Sequence, residues 1–178
     1  YGFTSGASHL SGTGTPEGVV TAAPGSTWLQ TDATTDVKGW IRWIKATGTG
    51  NTGWVAGPEA DTGWRDYSAS LENGWAGTLY LRRVGQLVHV HGSLTGTSAS
   101  SHLALLSNPL PSGFRPKSAV QRAVSRNASL ADSIHVEIAT NGGMAMWSGN
   151  GDGAGQIVSE TFLAASTTWP TSLPGSAA

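Results

Sequence analysis

The sequence predicts an all-β fold, and three observations carry that prediction. Glycine accounts for 25 of the 178 residues, charged residues make up only 12%, and no stretch keeps a long helical period. Short runs that alternate apolar and polar residues recur at a spacing of roughly ten residues, which is typical of sandwiches and jelly rolls. We therefore expect a small Trp-rich β module followed by an antiparallel, jelly-roll-like β-sandwich head.

Composition divides the chain into three parts. Residues 1–15 are rich in Gly, Ser and Thr and indicate a linker or the end of a preceding domain. Residues 16–57, the Trp-rich module, hold four of the eight tryptophans. Each tryptophan buries a large apolar area, so a few of them can form the core of so small a unit. Residues 58–178 are the head, and the boundary falls in GPEAD at 57–61. Since the chain starts at Tyr1, we expect it to be the C-terminal piece of a longer protein.

The stretch LYLRRVGQLVHVHG at 79–92 predicts a β-hairpin. Gly85-Gln86 suits a two-residue turn, because glycine adopts the positive φ needed at the first central position. This register separates an apolar face from a polar one. The apolar face holds Leu79, Leu81, Val88 and Val90, and the polar face holds Tyr80, Arg82, His89 and His91. We expect the first face to be core and the second to be a cationic, aromatic and hydrogen-bonding surface.

A second hairpin is predicted around Asn141-Gly142. A two-residue turn there pairs Trp147 with Val136 and places the indole on the apolar face, which favours a core position. The alternative is a sugar-stacking Trp147 beside Asn150 and Asp152, and it requires a longer loop or a bulge.

The two histidines of the first hairpin raise the possibility of a metal site. His89 and His91 are two apart on a strand, so both imidazoles face the same way and could bind one ion. Further ligands would have to come from Asp132, His102, His135 or a neighbouring chain. We favour the alternative, in which this face is solvated or packed on another subunit, and we predict no metal.

The sequence carries no motif of an enzyme. It has no G-x-S-x-G elbow, no phosphate loop and no dinucleotide fingerprint, so we predict no catalysis and no cofactor. A polysaccharide depolymerase would need a carboxylate pair. Its candidates are Asp132, Glu137, Asp152 and Glu160.

Charge and hydropathy exclude two classes of partner. A net charge of -1 leaves no basic footprint for nucleic acid. No run of about 18 apolar residues is present, so we expect no membrane insertion.

Two sets of spaced motifs carry a family resemblance. PEGVVTAAPGSTWLQTD and GWIRWIKATGTGNTGWVA, within 16–56, resemble a small module of bacteriophage tail fibres and baseplate proteins, which runs from PEG-V-A-PGS to K-x-x-GTGNTGW. GWRDYSASLENGW at 63–75, the first hairpin, LPSGFRP and WPTSLPG at 169–175 resemble the C-terminal β domain of phage tail fibres and receptor-binding proteins. The second domain is found especially in phages of Gram-positive and actinobacterial hosts.

The resemblance implies a homotrimer at the phage tail tip, a virion component that contacts other tail or baseplate proteins. Its head would bind a host cell-wall or surface saccharide without catalysis. The polar hairpin face would then pack on a neighbouring subunit or line the cleft between subunits. The alternatives are a trimerisation or capping tip that binds nothing, and the depolymerase. The candidate ligand-binding residues are Tyr80, Arg82, His89, His91, His135, Trp147, Asn150 and Asp152.

Overall fold

The predicted all-β class is confirmed in a computed structural model that describes residues 6–33, 40–96, 102–126, 129–148, 156–166, 169–170 and 172–178. These residues form thirteen strands and two short 3₁₀ turns, Ser68–Ser70 and Ser112–Phe114. The strands are β1 His9–Gly12, β2 Thr27–Gln30, β3 Ile41–Lys45, β4 Trp54–Ala56, β5 Arg65–Asp66, β6 Ala76–Val84, β7 Leu87–Thr95, β8 Leu103–Ala104, β9 Val120–Arg126, β10 Ser129–Ile138, β11 Met144–Ser148, β12 Gln156–Leu163 and β13 Ser176–Ala177.

Strands β1 to β4 form a four-stranded sheet in chain order. β1 pairs with β2 in parallel, and the other two pairs are antiparallel. His9–Gly12, the first strand of this sheet, comes from the segment 1–15 that the sequence predicts as a linker or the end of a preceding domain. Of the four tryptophans predicted as core, Trp43 and Trp54 are buried, Trp28 packs against them, and Trp40 is 39% exposed.

The PEG and GTGNTGW motifs meet in a single loop of this sheet. Lys45 is fully buried, and its Nζ donates to the carbonyl of Gly50 at 2.7 Å and to the carbonyl of Thr52. The Glu17 carboxylate accepts from the main-chain N–H of Gly53 at 3.2 Å and of Trp54 at 2.8 Å. The two charged side chains thus hold the carbonyl and amide groups of the loop, which gives both ends of the motif a structural role.

Strands β5 to β13 form a second sheet, in the order β13-β5-β6-β7-β12-β9-β10-β11-β8. β12 and β9 meet at one residue pair, Gln156 with Arg126, so the sheet divides into two halves there. Buried side chains of both halves form one core, for example Leu81 and Val90 with Ile138 and Met146. The predicted antiparallel β-sandwich of the head is therefore confirmed.

The first hairpin has the register that its sequence predicts. Val84 pairs with Leu87 across the turn, and the pairing continues without a shift to Ala76 and Thr95. Gly85 has a φ of 55°, and a Cβ there would approach the Pro58 Cα to 3.1 Å. The turn therefore requires glycine for its conformation and for its contact with the preceding loop. The four residues predicted as core are at most 1% exposed.

The second hairpin has a different turn from the one predicted. The Gly142 N–H donates to the Ala139 carbonyl at 2.8 Å, and the Ala139 N–H donates to the Gly143 carbonyl at 2.8 Å. Gly142 has a φ of 89°, and the Asn141 side chain accepts from the Gly143 N–H at 2.9 Å. The loop is thus one residue longer than a two-residue turn, with glycine in the left-handed position.

That extra residue moves Trp147 to the other side of the sheet. Trp147 pairs with His135, and Val136 pairs with Met146. Val136 and Met146 are buried, so the apolar face of β10 is as predicted, but Trp147 lies on the outer face. The predicted core position of Trp147 is wrong, because a one-residue change of register exchanges the faces of a strand.

A tryptophan near the C-terminus joins the head to the first sheet. Trp169 is 4% exposed and belongs to the same buried cluster as Ile41, Trp43 and Trp54. The guanidinium of Arg83, from β6 of the head, lies 5.3 Å from the centre of its ring. The two sheets are therefore linked by packing as well as by the chain at 57–61.

Candidate functional site

A groove of about 620 Å³ crosses the outer face of β6, β7 and β12. This volume is within the range of roughly 300–1,000 Å³ that is usual for small-molecule sites. The side chains that line it are those of Trp64, Tyr80, His89, His91, Ser159, Thr161 and Ala178. Val90 and Glu160 also line it, but strand alternation directs their side chains to the other face, so they contribute main chain to its floor.

Strand register assembles most of these side chains in two rows. One row is Tyr80, His91 and Ser159, and the other is Arg82, His89 and Thr161. Residues paired across antiparallel strands project from the same face, so each row crosses three strands side by side. In the second row the Nδ1 of His89 lies 2.9 Å from the Oγ1 of Thr161. The structure thus brings four of the predicted site residues together: Tyr80, Arg82, His89 and His91.

Trp64 forms one wall of the groove. Its ring centre lies 6.5 Å from that of His89 and 6.4 Å from that of His91, with interplanar angles of 59° and 64°. The side chain is 38% exposed. The sequence pattern does not single it out, although Trp64 and Asp66 are two residues apart beside β5, so strand alternation would put them on one face. Asp66 pairs with Tyr80, which places that face on the groove side.

Arg82 is held by an aspartate that the sequence pattern does not connect to it. Its Nε donates to Asp61 Oδ1 at 3.0 Å, and its Nη2 donates to Asp61 Oδ2 at 2.5 Å. This hydrogen bonding raises the pKa of Arg82. The guanidinium carbon also lies 5.8 Å from the centre of the Trp64 ring. Arg82 therefore positions Trp64, and the face predicted to be cationic has its arginine charge balanced by a carboxylate.

Glu160 lies beneath the groove in a partly desolvated position. Burial raises the pKa of its carboxyl group, and Arg122, whose Nε is 3.7 Å from Oε2, partly offsets that effect. Since the folded-state pKa lies above the unfolded one, the folded chain binds the proton more tightly. The contribution of Glu160 to stability therefore falls as the pH rises above the ordinary carboxyl range.

We expect Glu160→Gln to leave the protein at least as stable as the wild type at pH 7, because the variant removes a desolvated charge. The difference in stability between variant and wild type should become smaller as the pH falls to 4, where the wild-type carboxyl is protonated. Urea unfolding at a series of pH values measures this. Arg122→Gln is the control, and it should lower stability at pH 7. A Glu160→Gln variant that is less stable at pH 7 would contradict the prediction.

The other two described site residues lie on the opposite layer of the sandwich, in a group that we call the His–Trp cluster: His102, His135, Glu137 and Trp147. The His135 ring is stacked on Trp147, with ring centres 5.2 Å apart and an angle of 12°. The His102 ring centre lies 4.9 Å from that of Trp147. His102 Nε2 is 2.9 Å from Glu137 Oε2.

The His–Trp cluster is separate from the groove. The cluster projects from the outer face of β10 and β11, and the buried core of the head lies between the cluster and the groove. The imidazole of His135 covers one face of the Trp147 indole, which leaves less ring surface for a sugar. His135 and Trp147 therefore do not form one site with the hairpin residues.

Several predicted residues find no further support. Asn150 and Asp152 lie outside the described residues. Within the described part of the chain, no group of three or more His, Cys, Asp or Glu side chains is arranged to hold a metal ion around His89 and His91. Of the carboxylates considered for a depolymerase, Glu137 contacts His102 and Glu160 contacts Arg122, on different strands.

The fold and the groove define this chain as an all-β protein with an open, ligand-sized groove on one face of a sandwich. No model of a known protein family matches the chain, and a search of curated proteins found no match. Among the described residues no helix is long and apolar enough to cross a membrane.

Proposed function

We propose that this chain is the host-recognition part of a bacteriophage tail receptor-binding protein, located at the tail tip, and that it attaches the virion to a cell-surface saccharide. The observation that carries the proposal is the composition of the groove. An exposed indole stands beside imidazole, phenol and hydroxyl groups in a concave site, which is the combination that binds sugars by stacking and hydrogen bonding.

The motif resemblance supports the phage part of the proposal. The Lys45 and Glu17 contacts support it as well, because residues from both ends of that motif hold one loop of the first sheet in place. Such a module would connect the head to other tail or baseplate proteins.

We further propose that the chain acts as a homotrimer. Three shallow sites on one tip, repeated over several tips, gain avidity of roughly 10²–10⁴-fold from effective concentration. Light scattering at micromolar concentration tests this directly. We expect a mass close to three chains, and a monomer at that concentration would count against the trimer.

Changing Trp64 to Ala should weaken attachment at least tenfold, since the loss of about 1.4 kcal/mol is a factor of ten. The measurement is binding of the labelled protein to a panel of Gram-positive and actinobacterial cells, and to saccharide purified from a strain that binds. Trp147→Ala is the matched control, because it removes a partly buried tryptophan from the opposite layer. We expect it to bind like the wild type.

Other outcomes would redirect the proposal. A protein that binds no cell or wall saccharide, and yet is required for virion assembly, would favour a capping tip. Release of reducing ends from purified wall would favour a depolymerase. Loss of binding in Trp147→Ala alone would move the site to the His–Trp cluster.

A further inference from the structure

The charges around the groove restrict the ligand class. Apart from Ala178, the lining side chains are aromatic, imidazole or hydroxyl groups, and within the described residues neither a lysine nor an arginine lines the groove. Arg82 is adjacent, but both of its bonded nitrogens are directed to the Asp61 carboxylate. A carboxylate or phosphate ligand would find no permanent positive charge to replace the water that it gives up on binding.

The uncharged polar groups of the groove, by contrast, remain available to hydrogen-bond a ligand. Among the described residues, neither the Tyr80 hydroxyl nor the His91 ring has a hydrogen-bond partner, and both lie in the same row as Ser159. A hydroxyl and an imidazole can each donate and accept, as the hydroxyls of a sugar can. Trp64 is held by Arg82 at 5.8 Å, so its ring is already positioned before a ligand binds.

We infer that the groove takes a neutral saccharide, built from hexose or N-acetylhexosamine units without carboxylate, phosphate or sulfate groups. This inference rests on the proposed function and specifies the ligand class of the same site. The pyranose would pack on Trp64 and exchange hydrogen bonds with the Tyr80–His91–Ser159 row. The Arg82–Asp61 pair positions the indole and rejects anions, because Asp61 already occupies the guanidinium that an anion would need.

The test uses immobilised neutral tri- and tetrasaccharides of these units, each paired with the same backbone bearing one uronate or phosphate. We expect the wild-type chain to bind a neutral member, with an affinity that changes less than about twofold between 50 and 500 mM NaCl, since no charge pair is there to be screened. The charged partner of that glycan should bind at least about tenfold more weakly, a difference of 1.4 kcal/mol.

A gain-of-binding variant makes the test specific to the charge pair. Asp61→Asn releases the Arg82 guanidinium, so binding of the charged partner should rise at least about tenfold and become salt-sensitive. Arg82→Gln in the same background should abolish that gain.

Two results would overturn the inference, and they are distinguishable. A wild-type chain that prefers the charged partner, or loses more than tenfold in affinity with salt, contradicts neutrality while leaving saccharide binding intact. A chain that binds no member of the panel, and whose Trp64→Ala variant attaches to cells like the wild type, contradicts the groove as the saccharide site on which the proposed function rests.

Discussion

Trp169→Ala is expected to lower the free energy of unfolding by about 3–5 kcal/mol, the usual cost of truncating a buried tryptophan. Trp169 is 4% exposed, packs with Ile41, Trp43 and Trp54, and lies under the guanidinium of Arg83. The variant would leave a cavity in a small core that contains few other large side chains. Because the residue belongs to the head segment but packs in the first sheet, both parts should lose stability.

Urea unfolding followed by circular dichroism measures the loss, and hydrogen exchange reports which strands open. Trp40→Ala is the matched control, since Trp40 lies next to the same sheet but is 39% exposed. We expect Trp40→Ala to lower the free energy of unfolding much less than Trp169→Ala does. Trp169→Ala with a wild-type unfolding midpoint, or with increased exchange confined to the head, would show that Trp169 does not join the two cores.

Arg83→Met should destabilise the protein by about 3–5 kcal/mol, because it removes a buried charged donor from its partners. Arg83 is fully buried, and its three nitrogens donate to the carbonyls of Gly85 at 2.9 Å, Gly113 at 2.7 Å and Ser166 at 2.9 Å. Methionine fills similar space but leaves these oxygens without that donor. Burial lowers the pKa of Arg83 to about 10, so the guanidinium is still charged at neutral pH.

Arg83→Lys separates charge from geometry. A lysine keeps the positive charge but cannot span three acceptors in a fixed plane, so an intermediate loss of stability is expected. The neighbouring Arg82→Met is the control, since Arg82 points outward and donates to a single partly exposed aspartate. If Arg83→Met cost no more than Arg82→Met, the carbonyl contacts would not contribute as described.

The first hairpin could be predicted in full because its information is local. The Gly85-Gln86 turn sets the register, and alternation then assigns every side chain to a face. The same reasoning failed at the second hairpin for a local reason as well. An Asn-Gly pair also fits a three-residue loop with Gly142 in the left-handed position, and sequence alone does not choose between the two loops.

What could not be predicted depends on contacts distant in the chain. Asp61 meets Arg82 across 21 residues, and Thr161 meets His89 across 72 residues. These contacts turn a surface predicted to be cationic into a groove with balanced charge. The place of Trp169 in the core of the first sheet has no local signal either, because its neighbours there lie more than a hundred residues earlier.

The packing of Trp169 also restricts how the head can rotate relative to the first sheet. The chain enters the head through residues 57–61, and the head returns to the first sheet through Trp169, so the two parts are joined at two separate points. A body hinged at one point can swivel, whereas a body fixed at two points resists rotation about either. The direction in which the groove faces is therefore set by folding, and a pull applied at the groove is carried into the first sheet through packed side chains.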